Sequence, residues 1–164
     1  MNDQSTRFIA TWEAAVANHD VAGMASMFTA DAVFRSPAVF KPYQGRETIR
    51  YVLSLVMQVF GPLTYTNTWA NDNGGVVMQF ATTVQSGDKT LDLEGVDIFQ
   101  LDASGQIVDL RVMIRPMRGL QAVAAACNGV IIPSPALTAA PSAKSISAIA
   151  SSACKMGKYS TGIP

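Results

Sequence analysis

Apolar positions in the first sixty residues recur every three or four places, and from Leu63 onward every second place. This change of period predicts helices first and strands after. Phe8, Ile9, Trp12, Ala15 and Val16 form the buried stripe of a first helix, with Asn2, Asp3 and Ser5 as candidate N-caps. Asn18-His19-Asp20 breaks that pattern, and Asp20 can cap a second helix carrying Val21, Met24, Met27 and Phe28. A short strand over 32–35 ends at Ser36-Pro37, and Gly45-Arg46-Glu47 opens a longer helix striped by Ile49, Val52, Leu53, Val56 and Phe60. Strands follow over 64–69, 76–84, 90–101 and 106–115, separated by turns rich in Asn, Asp, Ser and Gly. Three helices before an antiparallel meander predict an α+β fold: a cone-shaped α+β barrel, its N-terminal helices packed on a curved antiparallel sheet. The space between helices and sheet is where a ligand is expected.

The alternation within 91–101 carries the main chemical signal. Leu91, Leu93, Gly95, Asp97, Phe99 and Leu101 share one face, so Asp97 falls on the more apolar side of its strand. An unpaired ionised carboxylate there is costly, so it must be paired, hydrated or protonated. A backbone amide, Arg111 or Arg115 is the structural pairing to test against a working acid. On the last strand Leu110, Val112 and Ile114 share one face and Arg111, Met113 and Arg115 the other. If the apolar set lines the cavity, the arginines point away from Asp97.

Charge narrows the function. Twelve basic and twelve acidic residues cancel, which argues against a nucleic-acid partner, and only 15% of the chain is charged against 49% hydrophobic. Such a surface suggests cover by a second subunit or a ligand. The outer sheet face, with Val96, Ile98, Arg111, Met113 and Arg115, predicts a homodimer. The sequence contains no apolar run long enough for a spanning helix, so no membrane partner is expected. The polar start Met1-Asn2-Asp3-Gln4 lacks the order of a leader. Cys127 and Cys154 lie outside metal-ligand spacing, and His19 has no second ligand near it in sequence. They read as reduced cysteines and a surface histidine of a cytoplasmic protein, with no metal and no cofactor. Glycine-rich phosphate loops and a Gly-x-Ser-x-Gly elbow are missing.

Composition also shifts near Gly119. Residues 1–118 hold 9 basic and 12 acidic residues, whereas 119–164 hold three lysines, no acid and 18 Ala or Ser. A domain over 1–118 and an Ala/Ser/Pro-rich tail over 119–164 are expected, the tail being too poor in large apolar groups to order alone. Within it, 120–126 extends a short helix and 145–155 offers another.

Taken in order, several segments resemble the SnoaL-like and ketosteroid-isomerase-like branch of the nuclear transport factor 2-like (NTF2-like) superfamily. They are Trp12-Glu13-Ala14, Asn18-His19-Asp20, Phe28-Thr29-Ala30-Asp31-Ala32-Val33-Phe34, Ser36-Pro37, Gly45-Arg46-Glu47 and Val96-Asp97-Ile98-Phe99, with the turn over 102–105. The likeness covers about residues 5–117. It implies that Asp97 matches the protonated aspartate of ketosteroid isomerase, which donates a hydrogen bond to the substrate oxygen. Trp12 falls where that enzyme has a tyrosine, and Ser36 where it has its aspartate base. A serine without an adjacent base accepts no proton at neutral pH, whereas an indole N–H can still donate. The Asp-Arg-Asp set of limonene-type epoxide hydrolases is replaced by Thr82, Thr83 and Val112.

Two functions stay open. One is a cofactor-free isomerase, cyclase or lyase for a steroid-, terpenoid- or polyketide-like molecule, with Asp97 as acid or hydrogen-bond donor. Its pocket would be lined by Trp12, Phe34, Ser36, Val52, Leu93, Phe99, Leu110, Val112 and Ile114. The other is a non-catalytic ligand-binding or dimerisation module of the same fold.

Overall fold

The computed structural model describes residues 2–129. Helix α1 (Asp3–Ala17) starts where the Asn2 side chain accepts the Ser5 N–H at 2.9 Å, and turns Phe8, Trp12, Ala15 and Val16 inward. His19 is exposed and holds a left-handed φ of 52°, which turns the chain so that Asp20 can cap α2 (Val21–Ser26) through the Gly23 N–H. Helix α2 ends at Ser26, two residues short of the expected Phe28. Phe28 instead begins β1 (Phe28–Arg35), where it is wholly buried beside Ile107. A two-residue β2 (Tyr43–Gln44) and Gly45, at a φ of 86°, lead into α3 (Arg46–Val59).

The meander consists of β3 (Thr64–Ala70), β4 (Gly75–Ser86), β5 (Lys89–Leu101) and β6 (Ile107–Arg115), followed by α4 (Met117–Gly129). Strand order is β2-β1-β6-β5-β4-β3, an open sheet rather than a closed barrel. It is mixed rather than purely antiparallel. The β1–β6 pair is parallel, because the chain returns through α3 and the meander before β6 reaches the free edge of β1.

The helices cover one face of this sheet. Phe8, Trp12, Phe28, Phe34, Ile49, Met78, Phe99 and Leu110 make one core cluster. Phe60, Val84, Leu93, Ala122 and Val123 make a second. Helix α4 therefore spans Gly119, where composition changes, and packs Ala122 and Val123 on the body. The helix expected over 145–155 lies outside the described residues.

Candidate functional site

Asp97 lies at the centre of β5, opposite Met78 on β4 and Val112 on β6. Its face is the one the alternation predicts: Leu93, Phe99 and Leu101 beside it are all buried, and Asp97 itself is only 7% exposed. Arg111 and Arg115 are on the exposed side, where Arg115 pairs with Glu94. No cation among the described residues pairs with Asp97.

The partner is Tyr65, which the sequence had not singled out. Its hydroxyl donates to Asp97 Oδ2 at 2.7 Å, and the Trp12 indole N–H donates to the same hydroxyl oxygen at 2.7 Å. The result is a three-residue chain from α1 through β3 to β5. Trp12 is 2% exposed and is fixed by edge contacts with Phe28 and Phe99, at centroid distances of 6.1 and 4.9 Å. Tyr65 sits edge-on to Phe80 at 6.4 Å. Phe80 occupies space that only a glycine leaves free: a Cβ on Gly95 would lie 2.6 Å from Phe80 Cζ and would also meet the Met113 carbonyl.

Burial in this apolar setting raises the Asp97 carboxyl from its ordinary 3.8 to about 7, against the opposing pull of the Tyr65 hydrogen bond. Burial, then the Asp97 charge, pushes the Tyr65 phenol well above the usual tyrosine range. At neutral pH Asp97 therefore occupies both protonation states, which is what general acid or base work requires.

The other expected pocket residues divide between the two core clusters. Phe34, Phe99 and Leu110 belong to the first, and Val52 and Val112 pack against it. Leu93 belongs to the second, with Ile114 packed on it. Phe34 also stacks on Tyr43 at 6.0 Å. The Ser36 hydroxyl accepts the Ala38 N–H at 3.2 Å, within the turn that ends β1. A groove of about 220 Å³ lies on the opposite, outer side of the sheet, lined by Gln79, Glu94, Val96, Met113 and Arg115. Among the described residues no cluster of His, Cys, Asp or Glu could hold a metal, and no helix is long and apolar enough to cross a membrane.

Helices packed on an open, six-stranded mixed sheet, with the buried Asp97 carboxyl between them, define an NTF2-like α+β protein. Residues 7–110 match the SnoaL-like domain, and the chain belongs to that family. Among solved structures, a steroid delta-isomerase from Pseudomonas aeruginosa is 34% identical, with a TM-score of 0.70 over 79% of this chain and 92% of the other. An uncharacterised bacterial protein with a cystatin-like fold, from Silicibacter pomeroyi, is 30% identical, with a TM-score of 0.68 over 74% and 83%. The epoxide hydrolase/cyclase-like enzyme SalBIII, of pyran ring formation in the polyether salinomycin, shares the fold at 22% identity and a TM-score of 0.61, over 73% and 97%. No curated protein matches the chain.

Proposed function

We propose that this protein is a cofactor-free isomerase, cyclase or lyase for an apolar small molecule, with Asp97 as the general acid or hydrogen-bond donor. The observation that carries this reading is a buried carboxyl held near pH 7 with no cation among the described residues to neutralise it. A substrate of steroid, terpenoid or polyketide type suits these surroundings, because Trp12, Phe99 and Val112 of the first cluster offer apolar contact and Asp97 the polar one. Protonation of an enol or enolate, or hydrogen bonding to a carbonyl oxygen as charge builds on it, suits one such group in a dry setting. The isomerase among the structural neighbours points the same way.

A thermal-shift screen with steroids, terpenoids and polyketide-like phenols tests ligand class. A β,γ-unsaturated ketosteroid then tests turnover through the ultraviolet absorbance of the conjugated product. Asp97→Asn should lower turnover at least about 10²-fold, the scale of general acid catalysis.

The second reading, a ligand-binding module, is favoured by one observation: the Trp12 N–H is committed to Tyr65. Ligands that stabilise wild type and Asp97→Asn equally, with no turnover of any, would establish that reading instead.

The outer face supports a homodimer. Cross-strand register places Trp69 beside Val77, Val77 beside Ile98, and Val96 beside Met113. The Glu94–Arg115 and Arg35–Asp109 ion pairs lie on strands crossing the same sheet. Trp69 is 54% and Met113 49% exposed, an apolar stripe suited to a second copy. A cytoplasmic setting goes with this reading and with the free thiol of Cys127.

A further inference from the structure

We propose that Trp12 and Tyr65 are positioning residues that give the two oxygens of Asp97 different jobs, Oδ2 as a fixed acceptor and Oδ1 as the oxygen that carries the proton and meets the ligand. The inference rests on Asp97 being the working group.

The direction of the hydrogen-bond chain is set at its far end. An indole N–H can only donate, so the Tyr65 oxygen is the acceptor of the 2.7 Å bond from Trp12. The Tyr65 proton then points along the other 2.7 Å bond, to Asp97 Oδ2. In a neutral carboxyl the carbonyl oxygen is the better acceptor, so Oδ2 becomes the carbonyl and the proton resides on Oδ1. On ionisation Oδ2 keeps its bond and Oδ1 alone changes. No protein group among the described residues hydrogen-bonds Oδ1, which leaves it for a ligand. A tyrosine in place of Trp12 could reverse its own hydroxyl, and the direction would no longer be fixed.

Among the described residues nothing charged pairs with Asp97 from the packed elements. Met78 and Phe80 face the site from β4 and Val112 from β6, while Val52 and Met57 of α3 pack on the same cluster. The exposed Glu13 of α1 acts only weakly on Tyr65, and the Cys127 thiol of α4 is pushed upward by burial and stays neutral. The lack of a Cβ at Gly95 gives Phe80 its place, and Phe80 in turn holds the Tyr65 ring.

Infrared difference spectra across pH 4–9 read the carboxyl directly, with Asp97→Asn identifying its C=O band. In the wild type, with Oδ2 as a hydrogen-bonded carbonyl, the band is low. In Tyr65→Phe it should move to higher wavenumber, and the titration midpoint should rise because a bond that favours the ionised form is lost. Trp12→Phe should shift both in the same direction by less. A band that stays put, or a midpoint that falls, in folded Tyr65→Phe would overturn the assignment. In the unaltered protein the ¹⁵N-labelled Trp12 indole resonance should titrate with the Asp97 midpoint, and an indole signal flat across that range would also overturn it. Neither readout needs a substrate, so failure of the proton assignment and failure of the enzymatic reading are told apart.

Discussion

Asp97→Asn separates the electrostatic cost of the site from its packing. Folding raises the Asp97 carboxyl from 3.8 to about 7, so the folded protein binds this proton more tightly than the unfolded chain. The stabilisation is complete below about pH 4 and is lost as pH rises through about 7. Across that window the folded state holds close to one proton more, and stability falls by about 1.4 kcal/mol per pH unit. The total is about 4 kcal/mol, a large share of the stability of a small domain. Asparagine has nearly the same shape, stays neutral, and offers an oxygen to the Tyr65 hydroxyl in place of Oδ2. Urea unfolding of both proteins should be run at pH 4, 5.5, 7 and 8.5. The difference in favour of Asp97→Asn should grow by about 4 kcal/mol from pH 4 to pH 8.5, most of it before pH 7. A difference that is flat with pH, or that runs toward the wild type, would refute the argument that desolvation governs this group.

Three further outcomes follow from the packing. Gly95→Ala drives a methyl into Phe80 and the Met113 carbonyl, and should cost about 1–3 kcal/mol in urea unfolding while raising the Asp97 midpoint as Tyr65 is displaced. Asp20→Ala removes the acceptor for the Gly23 N–H at the start of α2 and should cost about 1 kcal/mol, read as a lower thermal midpoint. Light scattering at micromolar concentration should give twice the chain mass, and Val96→Glu with Met113→Glu should return one chain mass; a wild-type monomer would contradict the outer-face dimer.

The carboxyl was legible in the sequence and its partner was not, for a definite reason. Strict alternation across 91–101 places Asp97 inward because β5 pairs without interruption along β4. On β3 the same rule puts Tyr65 on the face of Trp69, which is exposed. The register between β3 and β4 shifts between Tyr65 and Asn67, so the bulge sends Tyr65 inward beside Phe80 while Asn67 and Trp69 stay outside. One extra residue in an edge strand is invisible to a period-two count. The parallel β1–β6 pair was hidden for another reason, since contacts between strands some 75 residues apart leave no trace in either local pattern. Helix caps at Asn2 and Asp20 were readable because their chemistry is local.

The β1–β6 pairing also predicts an order of assembly. The meander from β3 to β6 joins neighbours through short turns, so its contacts are local and quick to form. Helix α1 and strand β1 must close a long loop before they meet β6, and that closure is entropically the harder step. Until it happens, Asp97 on β5 has no indole above it and faces water. The carboxyl should then lose its proton as an ordinary aspartate does, near pH 4. Docking of the N-terminal third is therefore a proton-uptake step between about pH 4 and 7, and its rate should slow as pH rises through that range while formation of the meander stays unchanged.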